Sequence, residues 1–203
     1  YKINFNIYEI SLLGIVFTGF IAQLLNFFIP LNDNIIYLNI FLIIIYFIFN
    51  FKYEVFLFNK FEILLFVFTL LFIITLIYGS SFSDDLNHYH AGYITNTDNS
   101  KYILGSNFLH HHYGFASIWL ILHSYLNFNI SMLQDIHILN GIIYFLVINL
   151  LIKEIIFKKN SINQFNYINI LAFLLFFIVI KYSRLKEFGI DRPAFLILIY
   201  LIY

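Results

Sequence analysis

Long apolar runs separated by short polar breaks make up most of this chain. Ile7–Ile29 comes first and is closed by Pro30. Ile35–Phe51 and Phe61–Tyr78 follow, the latter ended by Gly79. Asp135–Ile152 is the fourth run, and Tyr167–Ile180 is a shorter fifth, wholly apolar from Ile170 onward. A further run opens at Ala194. A bilayer gives the backbone no water to bond to, so runs of this kind are expected to be helices. The pattern therefore predicts an all-α fold, a polytopic transmembrane helix bundle of about six spans. Residues 1–203 are expected to form a single transmembrane domain. The chain opens at Tyr1 and stops inside the apolar run Ala194–Tyr203, so the domain is expected to be truncated at both ends.

The run Phe115–Phe128 differs from the others. It is short, and it contains Ser117, His123, Ser124 and Asn127. A run of that length is more often interfacial, re-entrant or buried than spanning. It follows the longest polar stretch, Ser80–Tyr113, and residues 80–134 are expected to be an outer loop with an interfacial helix at 115–128.

Composition agrees with the membrane reading. Hydrophobic residues are 62% of the chain, and charged residues are 11% against roughly 25% in soluble domains. There is no cysteine, which excludes disulfides, thiolate metal sites and thiol redox chemistry. The formal net charge is zero, so no basic field points to nucleic acid.

Charge also bears on orientation, because Lys and Arg collect on the cytoplasmic side. The loop Lys52–Lys60 is expected inside and the loop Ser80–Tyr113 outside. If Phe115–Phe128 lies flat, Lys153, Lys158 and Lys159 are inside, and Lys181, Arg184, Lys186 and Arg192 are outside. That gives six cations inside and five outside. If Phe115–Phe128 spans, the last two groups swap sides and the count becomes seven inside and four outside. The charge rule alone leans to the second arrangement.

Three polar clusters carry candidate chemistry. Asp84 and Asp85 follow the third run, within Ser83-Asp84-Asp85-Leu86-Asn87-His88-Tyr89-His90. On a helix Asp84 and His88 would share a face, which suits proton transfer or half of a metal site. The same residues also read as a helix cap and a solvated loop. His110-His111-His112 reads as a polar turn or a partial ion site, and His123 and His137 as helix-bonded histidines or members of a proton relay. The third cluster runs from Lys181 to Pro193 and holds Arg184, Lys186, Glu187, Asp191 and Arg192. Arginine suits bidentate phosphate binding, so this is a candidate anion site. An interfacial loop with snorkelling cations and an Arg184–Glu187 pair is the plainer alternative.

A carboxylate pair at the start of the first large outer loop, directly after a span, resembles the GT-C membrane glycosyltransferases, which use polyprenyl-phosphate-linked sugars. Asp84-Asp85 matches their acidic motif, and Phe115–Phe128 matches the surface helices that follow it. GT-C enzymes usually have one span before the motif, whereas three precede it here. The segments around Asp84–His90, Gly114–Leu120 and Arg184–Asp191 are also similar to multipass proteins of marine and other AT-rich bacteria to which no activity is assigned. The resemblance implies inverting sugar transfer from a polyprenyl-phosphate sugar to a glycan or lipid acceptor. It also implies the flat arrangement of Phe115–Phe128, at the outer face of a bacterial inner membrane. Asp84, Asp85 and His88 would be catalytic, and Arg184, Lys186 and Arg192 would hold the phosphate. His90, Glu187 and Asp191 would support them. No cofactor is certain, and a divalent cation stays open. Other readings also stay open: a transporter or flippase, a polyprenyl-diphosphate glycan polymerase, and a non-catalytic membrane subunit.

Overall fold

The first helix begins where the sequence supplies a cap. The Asn6 backbone N–H donates to the Glu9 carboxylate at 2.6 Å, and the Tyr8 N–H donates to the Asn6 side-chain oxygen at 3.5 Å. An acid one turn in thus reaches back to the free amide, while the cap side chain accepts from the first turn. In this computed structural model, residues 6–50, 60–77, 89–105, 108, 117–126, 138–157 and 162–180 are described.

Seven helices lie among the described residues: α1 (Ile7–Asn26), α2 (Asp33–Asn50), α3 (Lys60–Ile77), α4 (Ala91–Asn99), α5 (Ile118–Tyr125), α6 (Ile138–Phe157) and α7 (Ile162–Ile180). The long ones are unbroken Ile, Leu and Phe sequence with no internal proline. The all-α expectation therefore stands.

The expectation of a bundle of about six spans is corrected. Among the described residues two helices are long and apolar enough to cross a membrane, Ile7–Asn26 and Ile138–Ile156. The other apolar helical stretches among the described residues, Asp33–Tyr46 and Asn166–Ile178, fall short of the roughly 20 residues that a span needs. The run from Ala194 lies outside the described residues.

The chain forms two compact units. One comprises Tyr1–Ile15, Lys60–Ser81 and His137–Tyr203, and the other Val16–Asn59 and Phe82–Ile136.

In the first unit α6 packs on both α3 and α7. Phe66 meets Phe145 edge-on, with ring centres 4.8 Å apart. Beside them the Asn149 amide donates to the Thr69 hydroxyl at 2.9 Å and to the Phe145 carbonyl at 2.8 Å. The Thr69 hydroxyl donates back along its own helix to the Leu65 carbonyl at 2.9 Å. A buried polar group needs partners, and this pair supplies its own.

Tyr8, on α1, also belongs to this unit. The Lys153 ammonium lies 5.9 Å from the centre of the Tyr8 ring. Only residues 158–161 separate α6 from α7, and so short a connection makes packed neighbours antiparallel.

In the second unit α5 packs on α4 and approaches α1 closely at Gly19. A Cβ placed on Gly19 would meet the Ile118 Cγ2 at 2.8 Å, so only glycine permits this separation.

Candidate functional site

Most of the residues singled out from the sequence lie outside the described residues. These are Asp84, Asp85, His88, Arg184, Lys186, Glu187, Asp191 and Arg192, together with His110–His112 and His137. His90 and His123 are described, and both are buried. Among the described residues no three of His, Asp and Glu gather as a metal-binding group.

The described part of the candidate site is the α4–α5 pair. Tyr89 and His90 wind as a wide π-type turn into α4, their rings 4.2 Å apart. Such turns recur at functional sites. His90 stands at the point where the polar segment carrying Asp84 and Asp85 enters this helix. α4 itself is Ala-Gly-Tyr-Ile-Thr-Asn-Thr-Asp-Asn, a sequence of poor helix formers. It is helical because its surroundings hold it. Tyr93, Ile94 and Thr97 face inward, and the Thr97 hydroxyl donates to the Tyr93 carbonyl at 2.8 Å.

α5 is buried from Trp119 to Tyr125. His123 stands edge-on to Trp119, with centroids 5.1 Å apart. The Ser124 hydroxyl, fully buried, donates to a carboxylate oxygen of Asp98 on α4. Burial pushes the Tyr93 phenol up to about 12, with a smaller push from Tyr102, and burial also raises Tyr125. Tyr93 is therefore a neutral hydroxyl at any physiological pH.

The other end of α4 meets the end of α1. Asn26 is buried, and its side-chain amide reaches the carbonyls of Ser100 at 3.3 Å, Thr97 at 3.4 Å and Ile29 at 3.5 Å. The Tyr102 N–H donates to the Asn26 carbonyl at 2.7 Å, and the Leu31 N–H to the Thr97 carbonyl at 3.0 Å. The last carbonyls of a helix have no partner within it, and here another segment satisfies them. The Phe27 ring lies 5.1 Å from that of Tyr102.

Sequence reasoning did not single out Asn26 or Asp98, and it noted Ser124 only as a polar residue in a short run. No spacing relates positions 26, 98 and 124. Asp98, within Thr-Asn-Thr-Asp-Asn, has the appearance of a solvated loop acid. The one sequence signal was an asparagine ending a long apolar helix shortly before Pro30.

The family described as "Domain of unknown function (DUF8201)" has a model that matches residues 1–203, and the chain belongs to that family. No curated protein and no solved structure matches the chain.

Proposed function

We propose that this DUF8201 member is an integral membrane protein of the bacterial inner membrane that transfers a sugar from a polyprenyl-phosphate donor to a glycan or lipid acceptor at the outer face. Asp84 or Asp85 takes the proton from the acceptor hydroxyl. The freed oxygen pair attacks the anomeric carbon from the side opposite the phosphate, and the anomeric carbon–oxygen bond breaks. The phosphate leaves with that electron pair and the sugar inverts. Arg184, Lys186 and Arg192 stabilise the charge that collects on the departing phosphate. His88 orients the base. Glu187 and Asp191 hold the cations in place.

The observation that carries this reading is the exposed apolar surface of α1, which suits lipid. The acidic pair follows α3 in the sequence and the cationic cluster follows α7, so both come directly after long apolar helices. The short paired helices α4 and α5, coming after the acidic motif, add support.

The test is sugar transfer by the full protein in lipid vesicles, with a polyprenyl-phosphate sugar as donor. Asp84→Asn and Asp85→Asn are made singly, and the base-bearing one lowers kcat by about 10²–10⁴. Arg184→Ala raises the donor KM. Normal transfer by both Asp variants at normal expression overturns the assignment.

A further inference from the structure

α1 carries its exposed apolar surface to its very end. Phe17, Phe20 and Leu24 are exposed at helical spacing, and Phe27, Phe28 and Ile29 continue that surface past the last turn. α1 has 20 residues, and at about 1.5 Å each it is about 30 Å long, the thickness of the hydrocarbon core of a bilayer. With α1 in lipid, Asn26 stands at the boundary between acyl chains and headgroups.

A second apolar element is fastened at that level, within the same unit. The Tyr102 N–H donates to the Asn26 carbonyl at 2.7 Å, and the Tyr102 ring lies 5.1 Å from that of Phe27. The chain then turns at Gly105, which takes φ 84°, a left-handed backbone that suits glycine. The Phe108 N–H donates to the Gly105 carbonyl at 2.9 Å. Leu104 is 85% exposed and Phe108 94%, and Ile103 is exposed beside them. α5 is the contrast, since protein buries it from Trp119 to Tyr125. Large apolar side chains left this open lose free energy in water and gain it among acyl chains. Lys101, next to Tyr102, is exposed too. A cation and a tyrosine beside an apolar tip are the groups that favour the headgroup level, where phosphates are anionic.

We infer that the turn at Gly105 is an interfacial lipid anchor: Ile103, Leu104 and Phe108 dip into the bilayer beside the end of α1, and Lys101 meets the lipid phosphates. Two observations make the occupant lipid. The apolar tip is continuous with the exposed side of α1, and its tie to Asn26 sets it at the depth where tails and phosphates meet. The inference rests on α1 lying in lipid, which is part of the proposed function, and not on sugar transfer.

The chain has no cysteine, so single labelling sites are simple to introduce. Leu104→Cys and Phe108→Cys, each carrying a nitroxide, are placed in the full chain in phosphatidylethanolamine–phosphatidylglycerol vesicles. Phe17→Cys marks the exposed side of α1, and Asn99→Cys marks the exposed polar side of α4. Collision with oxygen, which concentrates in lipid, is compared with collision with a water-soluble nickel chelate. The expected oxygen-to-nickel ratio is several-fold higher at 104 and 108 than at 99, at a depth of about 5–10 Å below the phosphates. A label on Ile103→Cys leaves the native tip in place, and adding Leu104→Asp with Phe108→Asp lowers its ratio several-fold. Ratios at 104 and 108 equal to that at 99, with 17 still in lipid, overturn the anchor and leave the membrane reading intact. Poor collision with both reagents overturns it as well, since protein, whether a second copy or another segment, would then cover the tip. An unchanged ratio at 103 in the double variant also overturns it. A ratio at 17 as low as at 99 removes the membrane reading and the anchor together.

Discussion

α1 and α6 are both long and apolar enough to cross a bilayer, yet their surroundings differ. Only 17% of the apolar window of α1 is buried, against 61% for α6. α1 buries a narrow line, Tyr8, Leu12, Gly19, Ala22 and Asn26, at helical spacing, and leaves Ile10, Leu13, Val16, Phe17 and Phe20 exposed. α6 is buried almost all round by α3 and α7, with Ile143, Tyr144, Val147 and Leu150 inside. Burial by protein accounts for the apolar character of α6 with or without a membrane. It does not account for α1. A wide apolar surface left uncovered in water invites association, so the surface of α1 is the stronger sign of lipid.

The comparison is sharpened first at α6. Leu150→Ala should lower stability by about 2–5 kcal/mol, because the cavity opens among protein neighbours that relax only in part. Chemical unfolding in bicelles measures this, and a loss near zero would mean that α6 is not packed as described. Phe17→Lys, on the exposed side of α1, should cost about 2.5–3.5 kcal/mol if lipid covers that side. A membrane-insertion assay reads this cost, and an unchanged insertion equilibrium would put water there and break the contrast. The smallest effect is expected on the narrow buried line of α1. Gly19→Ala should cost about 1–3 kcal/mol, since the added methyl must displace Ile118. Gly14, with nothing within 4 Å of its added Cβ, is the internal control, and its alanine variant should be neutral or slightly stabilising.

Much of the helical layout was legible in the sequence. The expected runs Ile7–Ile29, Ile35–Phe51 and Phe61–Tyr78 overlap α1, α2 and α3 to within a few residues. α6 runs on past the expected Ile152 to Phe157, carrying Lys153 to within 5.9 Å of the centre of the Tyr8 ring. α4 was not legible, because its Thr and Asn residues form a helix only when Asn26 and α5 hold them. The expected six spans become two among the described residues, because an apolar run does not by itself fix the length of the helix it forms. Of the candidate site, the chemistry-bearing residue types could be read from the sequence, while the hydrogen bonds from Asn26 to Thr97 and Ser100 could not, since they join positions far apart along the chain.

The brief connection between α6 and α7 has a consequence for how the protein is made. These two helices can pair as soon as both have left the ribosome, with almost no loop to close. α3 is synthesised earlier and must wait for α6 to emerge across the whole intervening segment, so its docking is the distant and slower contact. A chaperone or insertase that shields α3 during that interval would act on nascent chains ending before residue 138. Crosslinking of stalled chains of increasing length would show it letting go once α6 is out.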